Sequence, residues 1–299
     1  MIVRQRQSRC TVPGARVVTF LMVGLLAIGS AAAVAKARQV DPLHGRIVAL
    51  GFDAGSQTLF KAYSGALYRS ANGGRDWEPL SLPTAVARGR IASVAAAAHR
   101  KDVLYVAGPG FGVLRSQNGG RNWVAVNSGL PSNNVVALTS HADQSNTIYA
   151  YLSGKGIFRS EDAGAHWRLM DTGPRQRISQ LVHSNMPGSM QTGWFFAATA
   201  KGVNRSMDCF CGWRDAGALA RAITAVAYNP QQPKQVYAAT DSGLVISSDG
   251  GEQWSPLNAP GPAISALAVT PAGDLYAAVG KGELFHSADR GKTWERINA

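Results

Sequence analysis

The chain has 299 residues, 45% apolar and 16% charged, with 30 basic and 18 acidic side chains and a formal charge of +12. That balance excludes an intrinsically disordered chain, the length supports a core without metal or disulfide staples, and three cysteines are too few for a disulfide framework. At face value the charge points to an anionic partner such as nucleic acid, a membrane surface or an acidic protein.

The first element is N-terminal. Residues 1–16 carry Arg4, Arg6, Arg9 and Arg16 and no acid, and no residue from Val17 to Ala35 is charged. Basic, then apolar, then small is the order of a secretory signal, with cleavage sites at Ala33-Val34-Ala35 and Ala35-Lys36-Ala37. The uncharged run also approaches the ~20 residues that span a bilayer, so an uncleaved anchor is the alternative. Either way the Arg cluster stays cytoplasmic, and the rest is expected outside the cytoplasm, periplasmic or secreted. Residues 1–35 are read as the signal, 36–44 as a linker and 45–299 as the folded domain. Removing the signal takes four Arg and no acid, so +12 becomes +8. It also takes Cys10, leaving Cys209 and Cys211. An exported chain without an aromatic-interleaved basic stripe is a poor nucleic-acid binder.

The rest of the chain is a repeat. Six of the seven Trp follow the pattern Ser, one residue, Asp or Asn, one residue, Gly, two residues, Trp. The copies are Ser70-Asn72-Gly74-Trp77, Ser116-Asn118-Gly120-Trp123, Ser160-Asp162-Gly164-Trp167, Ser247-Asp249-Gly251-Trp254 and Ser287-Asp289-Gly291-Trp294, with a divergent Ser206-Asp208-Trp213 that carries Phe210 in the Gly slot. Each copy follows an alternating run (Ile264-Ser265-Ala266-Leu267-Ala268), a β-rich run (Leu275-Tyr276-Ala277-Ala278) and a third run ending at the Ser. A short fourth run follows the Trp. Four short strands per repeat of about 42 residues predict propeller blades. The fold class is therefore all-β, a single β-propeller of six four-stranded blades; a degenerate seventh would have to lie near residues 38–60. No segment after the signal has helical periodicity.

Folding accounts for the residue types of the repeat. The Asp or Asn side chain accepts backbone N–H groups of its own turn. Gly supplies a left-handed backbone. The Trp buries a face between blades, and the Ser ties the hairpin neck. A catalytic role for these residues is not expected. The pattern resembles the Asp-box, or bacterial neuraminidase repeat, of the sialidase-like superfamily.

Repeat position also sorts the charges. Loops from each outer strand to the next blade carry Arg88, Arg90, Arg175, Arg177 and Arg221; loops between second and third strands carry Lys155, Lys201, Lys281 and Lys61. Only Asp171, Asp215 and Asp241 oppose them. A basic rim on the face away from the Asp-boxes is expected to take an acidic protein segment or an anionic glycan. Cys209 and Cys211, in an oxidising compartment, are read as a local disulfide that pins the Gly-less turn, or as two free thiols. A redox or metal-binding turn is the alternative reading. The six His (His44, His99, His141, His166, His183, His286) are scattered, with no metal-ligand spacing. No cofactor and no catalytic residue are expected, and a monomer is.

The run Asn229-Pro230-Gln231-Gln232-Pro233-Lys234-Gln235-Val236-Tyr237-Ala238-Ala239-Thr240, with the box at Ser247, resembles the photosystem II stability and assembly factor family. This resemblance implies an exported, non-enzymatic propeller that binds proteins. The sialidase-like resemblance implies the alternative, a secreted glycosidase or glycan-binding protein. That chemistry ordinarily needs two carboxylates flanking the bond, and few acids map to the rim.

Overall fold

In the computed structural model, residues 45–190 and 192–297 are described; the expected signal and linker lie outside them. The described chain forms six four-stranded sheets, each built from four consecutive strands. Blade 1 runs Ala49–Asp53, Thr58–Ala62, Leu67–Ser70 and Glu78–Leu80, and blade 2 Ser93–Ala96, Leu104–Gly108, Gly112–Ser116 and Val124–Ala125. Blade 3 comprises Val135–Ser140, Ile148–Leu152, Gly156–Ser160 and Arg168–Asp171; blade 4, Ile178–Ser184, Trp194–Thr199, Gly202–Met207 and Arg214–Asp215. Blade 5 takes Ile223–Asn229, Gln232–Thr240, Gly243–Ser247 and Ser255–Leu257, and blade 6 Ile264–Val269, Leu275–Val279, Glu283–Ser287 and Glu295–Ile297. The molecule is a six-bladed propeller of antiparallel sheets.

Burial explains why the second strands are the most readable. Every residue of Leu104–Gly108, Ile148–Leu152 and Leu275–Val279 is buried. Neighbouring blades cover both faces of these strands, so they read as unbroken apolar runs instead of alternating ones. The outer strands have one dry face at most, and are short and mostly exposed.

The alternating inner runs place small polar side chains where one blade meets the next. Ser93 Oγ accepts the Leu138 N–H at 3.1 Å, Thr139 Oγ1 the His183 N–H at 3.3 Å, and Gln180 Oε1 the Val226 N–H at 2.8 Å. Thr224 Oγ1 donates to the Ile264 carbonyl, and Ser265 Oγ to that of Ile47, each at 2.7 Å. The last of these joins blade 6 to the segment that enters blade 1. No strand is exchanged at this closure. Side chains hold it: Ile47, Leu50, Leu59 and Tyr63 pack with Ala266, Tyr276 and Leu284 in one cluster.

One short helix departs from the sequence expectation. Thr84–Ala87 forms a single turn in the loop from blade 1 to blade 2, after Pro83. Four residues carry no periodicity to detect; the turn exists because Val86 is 1% exposed and seats in the blade 1–blade 2 core. Among the described residues, no helix is long and apolar enough to cross a membrane.

Candidate functional site

Five of the six repeats close as the sequence chemistry requires. In blade 3, Ser160 Oγ donates to Asp162 Oδ1 at 2.8 Å and accepts the Gly164 N–H at 2.7 Å, while Asp162 Oδ1 accepts the His166 N–H at 2.9 Å. The same bonds recur around Ser70 and Asn72, Ser116 and Asn118, Ser247 and Asp249, and Ser287 and Asp289. The Asp162 carboxyl is held at about 2 by the His166 backbone and side-chain donors. The Trp reach the preceding blade: Trp167 Nε1 donates to the Val126 carbonyl at 2.7 Å, Trp254 to Ala216 at 2.8 Å and Trp294 to Asn258 at 3.0 Å. The box Gly does more than allow a left-handed turn. A Cβ on Gly120 would stand 2.5 Å from Leu80 of blade 1, and one on Gly74 would stand 2.6 Å from Ile297 of blade 6. The boxes thus seal each blade against the one before it, including at the closure.

Blade 4 departs from this pattern. Ser206 Oγ turns to the Met207 carbonyl at 3.0 Å, and no hydrogen bond links it to Asp208. Reading Ser206 and Asp208 as a box pair is therefore corrected. With Phe210 in the Gly slot, at φ +55°, the hairpin takes another path. Cys209 and Cys211 are bonded as a disulfide, with Cα atoms 5.4 Å apart. Trp213 still reaches blade 3, through the Asp171 carboxylate at 2.7 Å.

Freed from its turn, Asp208 joins a buried network. Its Oδ2 accepts both the Thr192 hydroxyl at 2.6 Å and the Thr192 N–H at 2.9 Å. Thr192 Oγ1 lies 2.6 Å from His141 Nε2. His141 Nδ1 accepts the N–H groups of Asp143 and Gln144, each at 3.0 Å, which places the ring proton on Nε2, facing Thr192. His183 stacks 4.0 Å from His141; its Nδ1 accepts the Ala142 N–H at 3.0 Å and its Nε2 faces Asp208 at 3.8 Å. Burial and the adjacent His183 push His141 down to about 4. Burial alone would raise the Asp208 carboxyl, but the facing His183 ring and the two Thr192 donors outweigh it and hold it at about 2. The reading of the histidines as scattered is thus corrected for His141 and His183. His141 follows the inner strand of blade 3 and His183 lies near the end of the inner strand of blade 4, about one repeat later, and that near-repeat spacing was the signal available in the sequence.

His141, His183 and Asp208 offer three ligand atoms within 4.8 Å of one another. A metal does not suit them. A histidine that binds metal through Nε2 carries its proton on Nδ1 and donates it to an acceptor. Here both Nδ1 atoms face fixed backbone donors.

Two faces follow from the topology. Loops between inner and second strands share the Asp-box face. There, all six blades line a recess of about 710 Å³ on the axis, bordered by residues such as Phe52, His99, Asp143, Asn185, Tyr228 and Gln231. Sequence reading missed this recess, because its walls are assembled from residues a full repeat or more apart. The axial channel beneath it is only about 60 Å³, lined by the inner strands.

The opposite face carries Arg88, Arg90, Lys155, Arg175, Arg177, Lys201, Arg221 and Lys281, all exposed. Among the described residues none of the eight pairs with a carboxylate; Arg221 donates to the Ser242 hydroxyl. Lys61 does not join them. It lies in the second strand of blade 1, buried, with its ammonium 4.4 Å over the Trp77 ring and 5.5 Å from that of Tyr68.

A family model described as photosynthesis system II assembly factor YCF48 matches residues 38–299. The chain belongs to the YCF48 family. A structure titled YCF48 bound to D1 peptide is 19% identical, with TM-score 0.57, over 85% of this chain and 83% of that one. YCF48 from Cyanidioschyzon merolae is 20% identical at TM-score 0.55, over 85% and 86%. The GH74 xyloglucanase of Xanthomonas campestris is 21% identical at TM-score 0.57, over 82% of this chain but 45% of that enzyme. A curated Neosartorya fischeri protein, a probable oligoxyloglucan-reducing end-specific xyloglucanase, is 28% identical over 107 residues, 33% of this chain and 13% of the enzyme. The chain therefore spans less than half the length of the glycosidases it matches and most of the length of the YCF48 structures. At these identities the solved structures establish a shared fold.

Proposed function

We propose that this YCF48-family propeller is an exported, non-catalytic assembly module that holds an extended acidic segment of a partner protein. The observation that carries the reading is the face opposite the Asp-boxes, where eight exposed basic side chains have no carboxylate partner among the described residues. Unpaired surface cations steer an acidic chain and fix its register more than they add raw affinity. The YCF48 structure with a bound D1 peptide supports a protein segment as the ligand class. Binding without catalysis also fits the recess, which is lined by a single carboxylate, Asp143; glycoside hydrolysis ordinarily uses two. Export rests on the Arg-rich, then apolar, N-terminal segment.

The test is fluorescence anisotropy of the full chain with labelled extended peptides, acidic against neutral of equal length. Selective, salt-sensitive binding of the acidic peptide, weakened about tenfold or more by Arg175→Glu with Arg177→Glu, is expected. Equal binding of both peptides, or no effect of the double variant, overturns the basic-face reading. Turnover of a fluorogenic xyloglucan oligosaccharide or sialoside overturns the non-catalytic one. Alkaline phosphatase fused after residue 44 is expected to be active; an inactive fusion overturns export.

A further inference from the structure

The Gly-less turn of blade 4 gathers soft donors. Four Met follow residue 44, and three of them (Met186, Met190 and Met207) lie in blade 4 at its Asp-box end, with both remaining cysteines. Met186 and Met207 belong to the apolar cluster beneath this end. Met190 does not: it is 76% exposed, and its Sδ lies 3.9 Å from Cys211 Sγ. A flexible apolar side chain left so open has no packing reason to be Met. Cys211 is exposed and Cys209 half-buried.

We propose that the reduced Cys209–Cys211 pair, with the Met190 thioether, forms a three-sulfur site for Cu(I). Thiolate and thioether together select Cu(I) over harder divalent ions, which thioethers bind poorly. The geometry is already close. Three sulfurs around one metal at roughly 2.3 Å stand about 4 Å from one another, if the bond length of a zinc–thiolate pair is taken as the guide. The Met190–Cys211 separation matches one edge of that triangle.

The turn between the thiols is held from below. Phe210 stacks on Phe195 at 4.9 Å and lies 6.3 Å from Tyr149, so its ring is anchored in the blade while the flanking sulfurs stay at the surface. With Cα atoms 5.4 Å apart, side-chain rotation alone can part the sulfurs to the required spacing. Opening the disulfide takes two electrons and two protons from a dithiol reductant, which leaves as its own disulfide. Cu(I) then displaces the two thiol protons. The oxidised turn offers no thiolate, so binding is confined to the reduced protein. Five blades place Gly and a box hydrogen bond at this position, and blade 4 has lost both; a ligand site there disturbs no blade seal.

The test uses the full chain carrying Cys10→Ser, which leaves the pair as the only thiols. The protein is reduced with a phosphine and titrated without oxygen against the Cu(I)–bicinchoninate complex. One Cu(I) per chain is expected to leave the chelator, with X-ray absorption showing three sulfur neighbours. The oxidised protein and the Cys209→Ser/Cys211→Ser variant are expected to extract none. Met190→Leu is expected to weaken binding at least about tenfold and remove one sulfur neighbour, and buried Met186→Leu is expected to change neither. Because Met190 is exposed, its variant folds, as circular dichroism will confirm. Failure of the reduced protein to extract Cu(I), or unchanged affinity in Met190→Leu, overturns the site.

Discussion

Asp208 accepts two hydrogen bonds from Thr192, one from the hydroxyl at 2.6 Å and one from the backbone N–H at 2.9 Å. In the other blades the equivalent side chain binds its own hairpin. Here it binds the loop between the inner and second strands of the same blade, and through Thr192 it reaches His141 of blade 3. One redirected carboxylate thus joins three loops at the Asp-box face. The carboxylate is 1% exposed, so its donors are hard to replace. Thr192→Val removes the hydroxyl and leaves a buried charge short of a partner. Hydrogen bonds to charged groups contribute about 1.5–3 kcal/mol, and a loss in that range is expected by urea unfolding. Thr293→Val removes a hydroxyl-to-carboxylate bond of the same length at Asp289, in an exposed box turn where water can replace it, and is expected to cost less than that range. Equal costs would contradict the redirected role of Asp208.

This contrast also shows what the sequence could reveal. Ser160, Asp162, Gly164 and Trp167 lie within eight positions of one another, and their bonds are local, so the motif and the geometry are nearly the same information. The second strands were legible because neighbouring blades bury both faces. His141 and His183 were not, since their meeting depends on the rotation from one blade to the next. Lys61 misled because repeat position assigned it to a loop, whereas an aromatic cluster of Tyr63, Tyr68 and Trp77 keeps it within a strand. The divergent copy at Ser206 could be seen to differ, but the new partner of Asp208 lies 16 residues away and has no motif.

A box glycine and a loop glycine separate two causes of strain. Gly120 and Gly154 both sit at positive φ, +87° and +71°. A Cβ on Gly154 meets nothing within 4 Å, whereas one on Gly120 lies 2.5 Å from Leu80 Cδ1. Gly154→Ala is expected to cost about 1–2 kcal/mol from backbone strain alone. Gly120→Ala adds the overpacking of a blade seam, a further ~1–3 kcal/mol. Leu80→Ala in the same chain should return part of that second cost, giving a coupling above about 0.5 kcal/mol in a double-mutant cycle. Additive costs would mean that Leu80 is not the obstacle.

The Trp indoles predict a second contrast. Trp167 Nε1 donates to the Val126 carbonyl, whereas Trp123 Nε1 is buried without a partner among the described residues. Trp167→Phe loses a hydrogen bond and leaves a carbonyl unpaired, at about 1–3 kcal/mol. Trp123→Phe removes a donor that is already unsatisfied, so its cost is limited to the smaller ring. Thermal unfolding of the two variants is expected to rank Trp167→Phe as the more damaging, and the reverse order would sink the seam bond as a source of stability.

Acid should loosen the Asp-box face before it unfolds the rest. His141 binds its proton at about 4 in the folded chain, against 6.5 for a free imidazole. His183, Asp208 and Arg159 face it, and the carboxylate only partly offsets burial, His183 and Arg159. Between these values the unfolded state holds a proton that the folded state refuses, so stability falls as pH drops from about 6.5 to about 4 and levels off below. Asp208 adds a second loss lower down, between its unfolded value of 3.8 and about 2. Burial is the first reason for this loss, and the backbone donors facing Nδ1 add to it. A proton on His141 Nδ1 would meet the N–H groups of Asp143 and Gln144, so the loop holding them must open first. His141→Gln keeps a donor for Thr192 and cannot titrate. Urea midpoints taken between pH 7 and 4.5 are expected to fall in the parent and to fall less in the variant. Protection factors of the Asp143 and Gln144 amides, corrected for the intrinsic pH dependence of exchange, are expected to fall over the same range in the parent alone. Parallel pH profiles would show that His141 is not the group that acid acts on.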